Sequence, residues 1–153
     1  MAGANMKTIR TNVFETNSSS VHAICITDPE TFEAYKKGDY AFSRCVGDQL
    51  ISAEKLFEKF TSSEYSNWDD YLTWCEEHKK DAMNLEDFKK ILHILVEDDW
   101  DKKTEESDYV ADWLRDNSYQ LYNHLGYDEF ETFEEFKTIK GTEVVAFGYY
   151  GHD

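Results

Sequence analysis

The sequence predicts an α+β fold: a small antiparallel or mixed sheet, made from amino-terminal strands and a carboxy-terminal strand, packed against a helical middle region. Three observations predict it. β-Branched and aromatic residues concentrate in Val21–Thr27 (VHAICIT) and again in residues 143–150 (EVVAFGYY). Between them apolar residues recur at helical spacing, most clearly at Leu85, Phe88, Ile91, Leu92, Leu95 and Val96. Caps and glycines mark the joins, as at Asp28-Pro29, Gly38 and Asn84. The resulting order is β-β-α-β-α-α-α-α-α-β, with the last strand returning to the amino-terminal sheet. A chain of 153 residues with no linker or repeat reads as one domain, 1–153.

Residues 7–14 (KTIRTNVF) read as a first strand, and Glu15, Thr16, Asn17 and Ser18 to Ser20 as a polar turn, since short polar side chains bond to nearby backbone. In the returning strand Val21, Ala23 and Cys25 share one face and His22, Ile24 and Ile26 the other. Both faces are mostly apolar, which predicts a strand covered on both sides. Asp28 and Pro29 open a helix that buries Phe32 and Tyr35, places Lys36 and Lys37 in its last turn and stops at Gly38. Residues 39–45 alternate as a third strand, Gly47 and Asp48 turn, and Ser52 caps a helix burying Leu56, Phe57 and Phe60.

The middle is expected to be helical. Trp68, Leu72 and Cys75 fall at i, i+4 and i+7, widened by Tyr71 and Trp74, and Asn84 caps the following helix. After the acidic break 97–101 (EDDWD), another helix turns Tyr109, Val110, Trp113, Leu114, Leu121 and Leu125 inward and stops at Gly126. Thr132 and Glu135 fit a capping box, which predicts a short helix through Lys137 before Gly141 turns into the final strand.

Composition narrows the partners. Aromatic residues make up 16% of the chain, which argues against disorder throughout despite 31% charged residues. Acids outnumber bases 32 to 16, for a formal charge of -16, which argues strongly against direct DNA or RNA binding through a basic patch. No apolar run approaches the roughly 20 residues of a membrane helix, and the start lacks the apolar core of a secretion signal. A cytoplasmic protein without membrane contact is the expectation. The first six residues are expected to be unstructured, or residues 1–5 an artificial addition ahead of a natural start at Met6. Cys25, Cys45 and Cys75 are odd in number and widely spaced, so reduced thiols are expected.

The charge is unevenly spread. Residues 1–50 hold 5 basic and 6 acidic residues, 51–100 hold 6 and 13, and 101–153 hold 5 and 13. Asp69, Asp70, Glu76, Glu77, Asp81, Glu86 and Asp87 lie mostly off the apolar stripes. The candidate partner-binding set continues from them: Asp98, Asp99, Asp101, Glu105, Glu106, Asp108, Asp112 and Asp116, then Glu129, Glu131, Glu134 and Glu135, beside Asp128. Carboxylates along helix faces imitate a phosphate backbone and attract a basic nucleic-acid-binding groove, with Trp68, Trp100 and Tyr119 at hand as aromatic anchors. The plain alternative is an acidic surface that only keeps the protein soluble, or a structural or regulatory partner with evenly scattered charge.

Candidate chemistry is thinner. His22 follows the serines, with Glu15 and Asn17 close, so Ser20, His22 and Glu15 are the raw material for a small hydrolase or transferase. No GxSxG elbow supports it. Cys75 and His78 stand at i, i+3, but His93, His124 and His152 add no ligand at recognisable spacing, and neither metal nor other cofactor is expected. Residues 98–101 lack the alternation, glycine and final glutamate of a calcium loop. The order Arg10, Ser18, then Glu129 and Glu131 resembles that of ADP-ribosyltransferases, with Arg10 and Ser18 too close for two separate strands. No glycine-rich phosphate loop is present, against a nucleotide-dependent kinase or dehydrogenase.

Residues 10–22 (RTNVFETNSSSVH) resemble the opening of a group of small uncharacterised proteins from phages and other mobile elements of gut and related bacteria. Residues 32–40 (FEAYKKGDY) and 145–153 (VAFGYYGHD) are similar to the same group. The resemblance implies no catalytic residue. Small, strongly acidic proteins of that setting resemble anti-CRISPR and other anti-defence inhibitors. By that analogy the expectation is a non-enzymatic inhibitor in the host cytoplasm, blocking the basic nucleic-acid-binding groove of a bacterial defence nuclease.

Overall fold

The computed structural model describes residues 21–62, 66–126 and 131–150. Its elements run β1 (Val21–Thr27), α1 (Pro29–Lys37), β2 (Tyr40–Ser43), β3 (Gln49–Ser52), α2 (Ala53–Thr61), α3 (Ser66–His78), α4 (Leu85–Glu97), α5 (Glu105–Asp116), β4 (Tyr119–Gln120), β5 (Glu131–Ile139) and β6 (Thr142–Tyr150). Single turns of 3-10 helix occupy Trp100–Lys102 and Tyr122–His124. The fold is α+β, and the described residues form five α-helices and two antiparallel three-stranded sheets, ordered β1-β6-β5 and β3-β2-β4. The carboxy-terminal strand pairs with β1, as the sequence predicts.

Local chemistry explains most boundaries. Asp28 caps α1 by accepting from the Thr31 amide at 2.8 Å, and Pro29 fills the first helical position. Gly38 closes α1 at φ 101°, and a Cβ there would stand 2.9 Å from the Leu92 carbonyl oxygen on α4. Asn84 and Asp87 form a reciprocal capping box on α4, and Thr104 and Ser107 form another on α5.

Two buried clusters result. Ala23, Cys25, Phe32, Tyr35, Phe42, Leu125, Val145, Phe147 and Tyr149 join the β1-β6-β5 sheet to α1, with Phe32 and Tyr35 rings 5.1 and 5.3 Å from Phe147. Leu56, Phe60, Tyr71, Phe88, Leu92, Val110 and Trp113 pack the helices α2 to α5 together. Gln120 on β4 joins both sheets. Its side chain accepts from the Gly126 amide at 2.7 Å and donates to the Tyr149 hydroxyl at 3.5 Å, while its carbonyl accepts from the Tyr35 hydroxyl at 3.2 Å.

Four expectations are corrected. The helix expected over residues 132–137 is part of the nine-residue strand β5: Lys140 and Gly141, at φ 51° and 81°, make a two-residue hairpin turn, and the ladder with β6 outweighs the capping signal. The helix expected to reach Leu125 ends at Asp116. Asn117 folds its side-chain amide back onto the Trp113 carbonyl at 2.8 Å, and Ser118 turns left-handed at φ 60°, leading into β4. Leu121 and Leu125 are buried all the same. A short strand, β3, also intervenes between the Gly47 turn and the Ser52 cap. β1 is less covered than expected, since Ile26 is exposed. The strand expected over residues 7–14 lies outside the described residues.

Candidate partner-binding surface

The acidic series begins where α4 ends. Asp98 adopts the left-handed conformation that terminates the helix, and Asp99 caps the next turn by accepting from the Asp101 amide at 3.1 Å. The turn pushes Trp100 out until 77% of it is exposed. Lys103 lies over the indole at 4.0 Å and donates to Asp98 at 2.5 Å, which holds the Asp98 carboxyl below the usual carboxylate range. Thr104 then caps α5, and Glu105, Glu106 and Asp108 occupy its first turn, where the helix dipole favours them.

These carboxylates divide by what they touch. Glu106 accepts from the Tyr71 hydroxyl at 2.6 Å and lies 3.7 Å from Lys80. Glu105 accepts from the Trp74 indole at 2.7 Å. Both stitch α5 to α3. Asp112 pairs with Arg115 at 2.9 Å, while Asp101, Asp108 and Asp116 are exposed. On β5, Glu131 accepts from the Tyr150 hydroxyl at 2.8 Å and Glu134 from the Tyr122 hydroxyl at 3.2 Å. Glu135 is fully buried, 3.5 Å from Lys137, and so is no part of an exposed face. The strand alternates it inward, which a helical reading of that segment hides. Glu129 lies outside the described residues.

The aromatic anchors also differ. Trp68 packs edge-on into the helical cluster, 5.2 Å from Phe60, and Tyr119 leans on Trp113 at 5.2 Å. Trp100 alone of the three stands out from the surface. Tyr109 and Trp74, half-buried and 6.2 Å apart, form a second aromatic patch that the helical stripe assigns inward. Partial desolvation, then the carboxylates of Asp70, Glu105 and Glu77, raise the Tyr109 phenol above its ordinary value. Nothing in the apolar spacing signals that these rings reach the surface; the flanking acids are the legible sign.

The alternative chemistry is not assembled in view. Glu15 and Ser20 lie outside the described residues, and of His22 only the backbone, in β1, is described. Cys75 is buried in the helical cluster, whereas the His78 ring stacks on Trp74 at 4.4 Å, so the i, i+3 pair does not converge. Among the described residues no group of three or more His, Cys, Asp or Glu could hold a metal ion. The three cysteines are unbridged; burial pushes the Cys25 thiol up to about 11. Among the described residues no helix is long and apolar enough to cross a membrane. No family model, no curated protein and no solved structure matches the chain.

Proposed function

We propose that the protein is a non-enzymatic, anti-CRISPR-like inhibitor of phage type, docking its acidic surface in the basic nucleic-acid-binding groove of a bacterial defence nuclease. One observation carries the reading: Trp100, 77% exposed, projects among Asp98, Asp99 and Asp101 at the corner between α4 and α5. The indole is left to water within an acidic stretch of chain, with the Lys103 ammonium 4.0 Å from its ring centre. It suits an interface, where a buried aromatic supplies affinity and the acids supply steering and orientation. Asp108, Asp112 and Asp116 extend the same surface along α5. Glu105 and Glu106 serve it indirectly, by fixing α5 against α3.

The test is capture from a bacterial lysate at low salt, elution by a salt gradient, and identification of the eluted protein. DNA binding by that purified partner is then followed by fluorescence anisotropy. The expected result is competition with DNA that weakens at least tenfold when Asp101, Asp108 and Asp116 are changed together to Lys, or when Trp100 is changed to Ala. Asp81→Lys, remote in sequence from this corner, is the control. A captured partner whose DNA binding is undisturbed at saturating protein sinks the proposal, as does charge reversal without effect.

A further inference from the structure

Between α4, α5, β4 and the turn Tyr122–His124 lies a cavity of about 230 Å³. Leu95, Leu114 and Leu121, all buried, line its inner part with Ala111 and Tyr119. The exposed Arg115 and His124 line it on the solvent side. Its walls are held by the fold. Asn123 donates through its side-chain amide to the Leu95 carbonyl at 3.0 Å, which ties the turn to α4, and the His124 amide donates to the Leu121 carbonyl at 2.9 Å. In a chain with 32 acids to 16 lysines and arginines, this lining contains an arginine, a histidine and no acid.

We infer that this cavity binds a small apolar monocarboxylate, with one aromatic ring inside and the carboxylate at the rim against Arg115 and His124. The inference stands apart from the docking reading, since it needs neither Trp100 nor a protein partner. Volume sets the size of the ligand, because a cavity of about 150 Å³ already accepts a benzene ring. The lining sets where its charge goes. An apolar interior cannot satisfy a polar group, so the charge sits at the rim. There the side chains present donors, a guanidinium fork and an imidazole N–H, and a carboxylate matches the fork in its plane. Asp112 accepts from the Arg115 Nη2 at 2.9 Å, with both side chains more than half exposed. An exposed pair of this kind holds weakly, and it engages one nitrogen of a group with five donors, so a ligand carboxylate shares the guanidinium or displaces Asp112. The chain's charge of -16 opposes any anion at long range. At ~0.15 M salt that field is screened beyond about 8 Å, and the groups at the rim decide.

The probes are phenylacetate, its neutral counterpart phenylacetamide and the cation phenethylammonium. Each is titrated at ~0.15 M salt while the methyl signals of Leu95, Leu114 and Leu121 are followed by NMR. Phenylacetate shifts these methyls and binds about tenfold more tightly than the amide, the margin of a charge-assisted hydrogen bond over a neutral one. The ammonium ion binds most weakly. Arg115→Gln brings acid and amide together while both still shift the methyls, and Asp112→Asn, which releases the guanidinium, tightens the acid alone. Ala111→Trp, placing a ring in the cavity, abolishes the shifts with every probe. Should Ala111→Trp fail to fold, the ranking of the three probes and the Arg115→Gln comparison decide. Methyl signals unmoved by phenylacetate overturn the site. Equal binding of acid and amide to the unmodified protein, or an acid preference that survives Arg115→Gln, overturns the carboxylate assignment.

Discussion

Tyr71 ties three parts of the helical cluster through a single oxygen. Its hydroxyl donates to Glu106 on α5 at 2.6 Å and accepts from the Met83 amide, ahead of α4, at 2.8 Å. Tyr71→Phe keeps the ring and strands a buried amide, so it is expected to cost about 1–3 kcal/mol in urea unfolding at neutral pH. Burial, together with hydrogen bonds to Cys75 and Glu106, also raises the Tyr71 phenol well above its ordinary value of 10.0. The folded state thus keeps a proton that the unfolded state releases, and stability falls as pH rises above 10. Tyr35, Tyr109, Tyr119 and Tyr122 are raised too and act with the same sign. Tyr71→Phe should accordingly make the alkaline decline shallower without abolishing it, as denaturant midpoints between pH 9 and pH 11 (about a unit either side of the ordinary tyrosine value) would reveal. Gly148 sets a different limit: a Cβ there would stand 2.1 Å from the Ala23 carbonyl oxygen, inside the β1–β6 pairing. Backbone cannot retreat as a side chain does, so Gly148→Ala should cost about 3 kcal/mol.

At the scale of elements, the helices were legible because period and caps agree. Asn84 precedes a run in which Phe88, Ile91, Leu92, Leu95 and Val96 are all buried, and Asp28-Pro29 and Gly38 bracket α1 as expected. β5 was not legible. Thr132 and Glu135 satisfy a local helix signal, but the segment has a long-range partner in β6, and nine residue pairs of ladder decide against it. A helical reading of this segment hides the burial of Glu135 and so enlarges the acidic face. The exposure of Trp100 was legible because it stands within an acid run; that Tyr109 and Trp74 reach the surface was not, since the helical stripe assigns them inward. The hairpin that fixes β5 gives a test with two signs. Lys140 and Gly141 both hold positive φ, the geometry that Asn-Gly adopts most readily. Lys140→Asn should stabilise the protein by a few tenths of a kcal/mol. Gly141→Ala, with open space around the new methyl but the wrong backbone region, should cost about 1 kcal/mol.

For the whole molecule, the sum of charges governs folding and association in opposite directions. At -16, with twice as many acids as bases, ion pairs such as Lys103–Asp98 and Lys89–Glu54 leave a large negative remainder. That remainder repels itself in the compact state, and it is also what a cationic partner would grip. Salt screens both. Raising ionic strength from ~0.01 M to ~0.15 M shortens the Debye length from ~30 Å to ~8 Å, below the span of the acidic surface. Thermal melts over that range should therefore move upward by a few degrees as self-repulsion is relieved. Binding to a short peptide of lysine and arginine should weaken over the same range. A rise in Tm together with a loss of affinity is the signature of uncompensated surface carboxylates. A Tm that falls with salt would mean that attractive pairs dominate the surface, leaving no net charge for a partner to meet, and the acidic docking reading would fail with it.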